Sequence, residues 1–274
     1  MNPTSSSHYD IEYELGQDNV EILGMDVHNP VFGISALLII FFVAGTIMFP
    51  ELANSYLSAV KSWCLVNFDW FFMGSANVLV LFCLFLVVSR FGKVRLGGES
   101  ATPDFNRTSW FSMLFAAGMG IGLMFWGVAE PMAYFSGWGG TPLAVEAWSP
   151  EAAELAMAAT LYHWGLHAWA IYAIVALSLA FFCYNKGMPL TIRSAFYPLL
   201  GDRVWGWWGH LIDIMAVMAT IFGLATSLGM GAAQASSGLN FLFDIPDALN
   251  TQIAIVVGVT FLAIISVVRG LDGG

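Results

Sequence analysis

Three aromatic side chains in the segment HWGLHAWAIY, residues 163–172, have the chemistry to bind an organic cation. If the segment is an α-helix, Trp169 lies at about 140° and Tyr172 at about 80° from Trp164, so the three rings share one sector. Aromatic faces around one cavity attract a quaternary ammonium group, by up to about 2 kcal/mol when it is desolvated. An ordinary packing stripe or an interfacial aromatic belt would show the same spacing, which therefore leaves both interpretations open.

Two histidines, His163 and His167, are four residues apart in the same segment. A zinc site at this spacing needs a further ligand and a base, and the H-E-x-x-H pattern is missing because Trp, Gly and Leu separate the pair. Histidines inside a membrane can also relay protons. We interpret His163 and His167 as packing or hydrogen-bonding residues.

Three glycines, Gly118, Gly120 and Gly122, interrupt the apolar run WFSMLFAAGMGIGLMFWGVAEP, residues 110–131. Each glycine costs about 1 kcal/mol relative to alanine inside a helix. The G-x-G-x-G spacing without a preceding strand excludes a dinucleotide-binding turn. Two interpretations remain. The glycines form a seam of close helix packing, or they break the helix and free backbone groups to line a binding cavity.

The elements that must position these residues are six apolar stretches without Asp, Glu, Lys or Arg. Each is long enough, or nearly so, to span a bilayer as a helix, which takes about 20 residues. The chain is 58% hydrophobic and only 10% charged, whereas soluble domains carry about 25% charged residues. These features predict a polytopic membrane protein that contacts the lipid bilayer. The predicted helices are 31–49, 70–89, 110–129, 155–184, 208–243 and 251–268. The fifth helix begins before its uncharged stretch, 214–243, and so includes Asp213.

Charge narrows the possible functions. The net charge of −10 argues against a nucleic-acid-binding protein, which needs a basic face. The sequence contains no Walker motif, no G-x-S-x-G, no metal-ligand cluster and no plausible pair of catalytic carboxylates. It therefore predicts neither an enzyme nor a protein with an organic or metal cofactor.

The positions of the basic residues predict the orientation in the membrane. Eight of the nine Lys and Arg residues follow the second, fourth and sixth predicted helices, and Lys61 is the exception. The positive-inside rule places those loops in the cytoplasm. Because an even number of predicted helices returns the chain to the side on which it starts, both ends of the chain are also predicted to be cytoplasmic. We expect the helices to lie in the inner (plasma) membrane of the cell. Residues 31–274 are then the transmembrane domain. Residues 1–30 are an acidic cytosolic tail, which we expect to be disordered or loosely ordered.

Polar residues near the fifth helix have more than one interpretation. The segment 185–208, which mixes basic, Gly, Pro and bulky apolar residues, is predicted to be a membrane-surface connector with an interfacial helix. Asp213, which follows it, is interpreted as a helix-end charge.

Four polar residues deeper in the fifth predicted helix could bond back to the backbone or supply oxygens to a small cation. These are Thr220, Thr226, Ser227 and Gln234.

Four sequence blocks, in this order and spacing, resemble the betaine/choline/carnitine transporter family. They are AAGMGIGLMFWGVAEP (116–131), HWGLHAWAIYA (163–173), NKGMPLTIRSAFYPLLGDRVWG (185–206) and DIMAVMATIFGLATSLGMGAAQ (213–234). The resemblance implies an all-α integral membrane protein of the leucine-transporter type, with two leading helices followed by two inverted five-helix repeats. This chain resembles the N-terminal half, with the two leading helices and most of the first repeat.

The resemblance also implies roles for particular residues. Trp164, Trp169 and Tyr172 match the aromatic box around a trimethylammonium group, and Gly118, Gly120 and Gly122 match the unwound segment beside the substrate. Ala116 and Met119 match positions whose main-chain carbonyls help to bind sodium. Thr220 matches a hydroxyl of a second sodium site, but the companion threonine one turn later is Leu224 here. Gly122 is similar to sodium-coupled betaine-type members, whereas some proton-coupled choline-type members carry Asp there.

The expected function is a secondary active transporter, or the N-terminal half of one, that imports a small onium solute with sodium. Glycine betaine is the first expected substrate and dimethylsulfoniopropionate the second. The alternatives are proton-coupled choline or carnitine transport and a truncated membrane module that does not transport. The family resemblance also implies a possible homotrimer.

Overall fold

The computed structural model describes residues 8–14, 16–118, 120–138 and 140–269, which are mostly helical. Short 3-10 and π turns connect the longer helices. The α-helices are α1 (Val31–Met48), α2 (Pro50–Val88), α3 (Arg107–Gly118), α4 (Ile121–Ser136), α5 (Pro150–Tyr162), α6 (Ala168–Ala180), α7 (Tyr197–Leu200), α8 (Trp207–Phe243) and α9 (Leu249–Arg269).

Five helical segments in the described residues are long and apolar enough to cross a membrane. The second is longer than the sequence predicts, because α2 has 39 residues and starts at Pro50 rather than near residue 70. At about 1.5 Å per residue α2 is about 58 Å long, which exceeds a hydrocarbon core of about 30 Å. Its charged residues Glu51, Lys61 and Asp69 do not interrupt the helix. The five segments are α1, α2, Pro150–Asn185, α8 and the part of α9 from Leu249 to Val268.

The third apolar stretch is divided into two shorter helices rather than one. α3 has 12 residues and ends at Gly118, and α4 has 16 residues and begins at Ile121. Each is shorter than the roughly 20 residues of a spanning helix. The interruption expected from the glycine triplet is therefore present in the backbone.

The fourth apolar stretch is one helical segment with two π turns. It runs through α5, a π turn at His163–His167, α6 and a second π turn at Phe181–Asn185. The expectation of a regular α-helix through the aromatic segment is therefore wrong at His163–His167. A π turn closes over five residues instead of four, so the 100° projection does not hold between Trp164 and Trp169.

The N-terminal region contains an antiparallel hairpin of β1 (Asn19–Ile22) and β2 (Met25–His28). Leu23 and Gly24, which join the strands, have φ of 53° and 76°, the positive values that a two-residue hairpin turn of type I′ requires. The expected disorder of the acidic tail is wrong for this hairpin, and the fold is mostly helical rather than all-α. The hairpin was not predicted because each strand has only four residues, the shortest run in which alternating apolar and polar residues indicate a strand.

The chain divides into two compact units. The first consists of the described residues within Met1–Thr102 and Tyr162–Ala219, and the second of those within Pro103–Leu161 and Thr220–Gly274. Alanine, valine and methionine side chains form the buried apolar positions among the described residues, whereas no residue of α2 is buried. Large apolar side chains on the outside of a helix are typical of a segment that spans the hydrocarbon core of a bilayer. The buried apolar residues are Val31, Ala170, Met188 and Val204 in the first unit, and Ala152, Ala156 and Ala232 in the second.

Candidate functional site

Trp169 and Tyr172 form an aromatic pair on α6. They are i,i+3 neighbours, their ring centroids are 5.7 Å apart, and the ring planes are inclined by 34°. Trp169 is 41% exposed and Tyr172 is 66% exposed, so neither ring is packed away in a protein core. The pair presents two neighbouring π faces of the kind that attracts an onium group.

The π turn fixes Trp169 to the backbone. The indole Nε1 of Trp169 donates a hydrogen bond of 3.0 Å to the carbonyl oxygen of Trp164. Trp164 itself is half-buried within the turn, and Gly165 there has non-helical angles of φ −83° and ψ −138°. Single π turns within α-helices occur frequently at functional sites. The aromatic segment therefore has a special backbone geometry that the sequence projection did not include.

Helix α2 packs against this turn through polar contacts. His167 Nε2 lies 3.0 Å from the amide oxygen of Asn77, and the His167 ring lies 4.5 Å from the ring of Tyr162. Six residues further along α2, the Cys83 thiol donates to the carbonyl of Ala170 at 3.9 Å. The interpretation of His167 as a hydrogen-bonding residue is confirmed. Asn77, its partner, was missed because a single amide in an apolar stretch carries no motif.

The glycine segment forms a junction between two helix ends. Gly120 is extended, with φ −68° and ψ 174°, and its carbonyl accepts from Met124 at the start of α4. The last four carbonyls of an α-helix have no partner within the helix, and Ala116 lies in that turn of α3. Gly122 lies in the first turn of α4. Met119 lies outside the described residues.

The polar residues of α8 show local and long-range hydrogen bonds. The Thr226 hydroxyl donates to the Phe222 carbonyl at 2.9 Å, which is the back-bond to its own helix that the sequence allowed. Gln234 donates from Nε2 to the carbonyl of Met124 in α4, at 3.5 Å. Thr220 is exposed on α8, and Leu224 follows it one turn later.

The predicted site residues are divided between the two units. Trp164, Trp169 and Tyr172 belong to the first unit, whereas Gly118, Gly120, Gly122, Ala116 and Thr220 belong to the second. The structure brings the aromatic residues together on one helical segment. Their convergence with the glycine segment on one substrate stays a prediction.

A buried ionic group at the connector was also missed by sequence reasoning. Arg193 is 2% exposed, and its Nε lies 2.6 Å from a carboxylate oxygen of Asp213. Its Nη2 lies 3.0 Å from His28 Nε2 and 3.3 Å from His210 Nδ1. Asp213 is therefore an ion-pair partner and not simply a helix-end charge. We refer to Arg193, Asp213, His28 and His210 as the Arg193 cluster.

Aromatic packing surrounds this cluster. Tyr13 stacks on Trp205, with ring centroids 4.3 Å apart and planes inclined by 12°. Burial raises the pKa of the Tyr13 phenol, and the nearby Asp18 carboxylate raises it further. The only signal in the sequence was one of two arginines in the connector, followed by a single Asp at the start of the next apolar stretch, and nothing local pairs them.

Comparisons with known proteins agree with these features. A family model described as betaine/carnitine/choline family transporter matches residues 30–274. The chain is 60% identical to glycine betaine transporter 1 of Vibrio parahaemolyticus over 264 residues, 96% of this chain and 50% of that protein. It is 57% identical to the glycine betaine/proline/choline/ectoine transporter VP1456 of the same organism, over 96% of this chain and 47% of that protein.

A more distant relative is the high-affinity choline transport protein of Escherichia coli K12. The two are 42% identical over 250 residues, which is 91% of this chain and 36% of that protein. The chain spans about half the length of the two Vibrio relatives. The match over residues 30–274 agrees with the five long apolar helical segments and the interrupted helix of the described residues. The chain therefore belongs to the betaine/carnitine/choline transporter family of multi-pass membrane proteins, which are not enzymes.

Proposed function

We propose that the chain forms the N-terminal half of a secondary active transporter that imports a quaternary ammonium or sulfonium solute. Of the candidate substrates, we favour glycine betaine first and dimethylsulfoniopropionate second. The names of the relatives support a glycine betaine or choline-type substrate. Because the chain covers about half of the Vibrio relatives, activity is proposed for the complete transporter.

The observation that carries the proposal is the pair of Trp169 and Tyr172 beside the π turn. A trimethylammonium group has no N–H to donate, so a π face attracts it better than a hydrogen-bond acceptor does. The indole N–H of Trp169 is already bonded to the Trp164 carbonyl, which leaves the ring face as the recognition surface. Trp164 completes the aromatic box in this proposal.

The interruption between α3 and α4 supports sodium coupling. Half-helix ends at the membrane midplane provide carbonyl oxygens for cations and N–H groups for anionic substrate groups. We assign one sodium to carbonyls of Ala116 and Met119, and the substrate carboxylate to the backbone of Gly118, Gly120 and Gly122. A second sodium site at Thr220 would lack its companion hydroxyl ligand, because the residue one turn later, at position 224, is Leu.

The proposed architecture follows the family. The two leading helices and most of a first repeat in this chain would pair with an inverted second repeat. During transport, one repeat would rock against the other to expose the site to each side of the membrane in turn. The protein would lie in the plasma membrane with both ends of this chain in the cytoplasm, as the distribution of basic residues indicates. Assembly as a homotrimer is part of the same proposal.

Uptake of radiolabelled glycine betaine tests the function in cells without other onium transporters, with the protein expressed from its complete reading frame. Trp169→Ala should raise KM roughly tenfold or more, because a cation–π contact is lost. Trp70→Ala is the matched control, because the Trp70 indole also donates to a carbonyl of its own helix, at 3.0 Å. An unchanged KM in Trp169→Ala removes Trp169 from the site.

Replacing sodium in the medium tests the coupling. Uptake should fall sharply without sodium. Uptake that persists without sodium but responds to a proton gradient would indicate the choline- or carnitine-type alternative. A complete reading frame that supports no uptake of any onium solute would indicate the non-transporting module.

A further inference from the structure

Asn77 is a polar side chain in the middle of an apolar span. Val88, at the end of α2, is eleven positions further along, which is about 17 Å along a helix. That distance places Asn77 inside a hydrocarbon core of about 30 Å when the end of α2 lies at the interface. An amide at such a depth is costly unless both its donor and acceptor groups have partners.

Both groups of the Asn77 amide have partners. Nδ2 donates to the Met73 carbonyl at 2.8 Å, which identifies the other amide atom as the oxygen. This oxygen faces His167 Nε2 at 3.0 Å. Since an amide oxygen only accepts, Nε2 of His167 carries the hydrogen. The contact is thus a directed hydrogen bond from His167 to Asn77.

His167 is at the point where the π turn meets α6. It is the last residue of the turn, and its ring contacts Tyr162, the residue that precedes the turn. The hydrogen bond to Asn77 therefore holds both ends of the turn against α2. The carbonyl of Trp164 lies inside that turn and accepts the indole N–H of Trp169.

We propose that Asn77 and His167 are positioning residues for the aromatic site. Their hydrogen bond fixes the π turn, the turn fixes the Trp164 carbonyl, and this carbonyl orients the indole of Trp169. This inference rests on the proposed function for its meaning in substrate binding, but the mechanical link from Asn77 to Trp169 is independent of any substrate.

The first experiment measures the link directly. The protein is labelled with ¹⁵N at its tryptophan indoles, placed in lipid nanodiscs, and the Trp169 signal is assigned with Trp169→Phe. Asn77→Leu and His167→Leu should each shift the indole signal of Trp169 and speed its exchange with solvent. The double variant should show the same change as either single variant, because both remove one interaction.

Matched variants distinguish a positioning role from a non-specific loss of structure. Asn67→Leu is the control, because Asn67 donates to the Trp63 carbonyl at 2.7 Å in the same helix and forms no hydrogen bond with a histidine among the described residues. It should leave the Trp169 signal in place. Asn77→Asp keeps the acceptor oxygen, and His167→Gln keeps a donor. Both variants should therefore keep the Trp169 signal at the position found in the unmodified protein, even if the leucine variants fail to fold.

The outcomes are distinct. A Trp169 signal that is unmoved in folded Asn77→Leu and His167→Leu overturns the inference, as does a signal that moves equally in Asn67→Leu. If Asn77→Leu and His167→Leu do not fold, a signal that stays displaced in Asn77→Asp and His167→Gln overturns it.

Uptake by the complete transporter is the second readout. KM should rise about tenfold in Asn77→Leu with little change in maximal rate, because the loss of one hydrogen bond displaces the ring. Absence of uptake in the unmodified protein contradicts the proposed function, while the indole signal still decides the positioning role.

Discussion

Arg193 and Asp213 form an ion pair, with the guanidinium Nε 2.6 Å from a carboxylate oxygen, and their side chains are only 3% and 13% exposed. The pair joins the connector to the first turns of α8. Because a guanidinium only donates, the nitrogens of His28 and His210 that face Nη2 act as acceptors. One buried cation thus links the N-terminal hairpin, the connector and α8.

Removing the charge of Arg193 should strongly destabilise the first unit. Arg193→Leu leaves Asp213 buried without its partner, a change that costs about 3–5 kcal/mol. Thermal unfolding in detergent should show a clear fall in melting temperature, with a smaller loss in the double variant Arg193→Leu, Asp213→Leu. Arg203→Leu is the control, because Arg203 is an exposed arginine in the same connector. Equal melting temperatures for Arg193→Leu and Arg203→Leu would contradict the prediction.

His28→Ala should release the N-terminal hairpin. His28 contacts Arg193 through Nε2 at 3.0 Å and Asn19 through Nδ1 at 3.2 Å, so the variant loses one contact to the connector and one across the strands. Amide hydrogen exchange over residues 19–28 should become faster, while exchange in α6 stays unchanged. Glu21→Ala, an exposed change in the same hairpin, should not accelerate exchange. If it does so as much as His28→Ala, the contact with Arg193 is not what holds the hairpin.

Two glycines of α8 should respond differently to substitution by alanine. A Cβ on Gly209 would overlap the carbonyl oxygen of Val204, so Gly209→Ala must displace backbone. Overpacking of this kind costs typically about 1–3 kcal/mol. A Cβ on Gly223 meets no described atom within 4 Å, so Gly223→Ala should be neutral or stabilise the helix by up to about 1 kcal/mol. Melting temperatures that fall by the same amount in both variants would show that the contact with Val204 is not decisive.

Acid should weaken the turn between α8 and α9. The Asp247 carboxylate accepts hydrogen bonds of 2.6 Å from the hydroxyls of Ser236 and Ser237, and these bonds lower the pKa of Asp247. A depressed folded-state pKa contributes stability above the unfolded-state pKa, and this stability is lost as the pH falls through the folded value. The protection factors for hydrogen exchange over residues 244–252, which correct for the slower intrinsic exchange at low pH, should therefore fall in acid.

Asp247→Asn tests the cause of that pH dependence. It should flatten the response to acid, because no carboxylate remains to be protonated. Asp244→Asn is the control in the same turn, since the hydrogen bond found for Asp244 among the described residues is from its backbone N–H to the Asn240 carbonyl. The same acid response in Asp247→Asn and in the unmodified protein would contradict the assignment.

Local sequence was sufficient for several features because their causes are local. Apolar stretches of spanning length predicted the long helices, and three glycines in five residues predicted the interruption between Gly118 and Ile121. The i,i+3 spacing of Trp169 and Tyr172 placed two rings side by side. Each of these depends on residues within about one or two helical turns.

Only the tertiary structure decided the contacts between distant residues. Asn77 and His167 are 90 positions apart, and His28 and Arg193 are 165 apart, so no local pattern pairs them. The π turn at His163–His167 departs from the α-helix that local periodicity favours, at the place where α2 packs against it. The sequence by itself therefore determined which segments are long and apolar enough to cross a membrane and where one of them is interrupted, because side-chain apolarity and backbone freedom are local properties. The fold decided which buried polar groups pair, because each group needs a partner that only packing brings near.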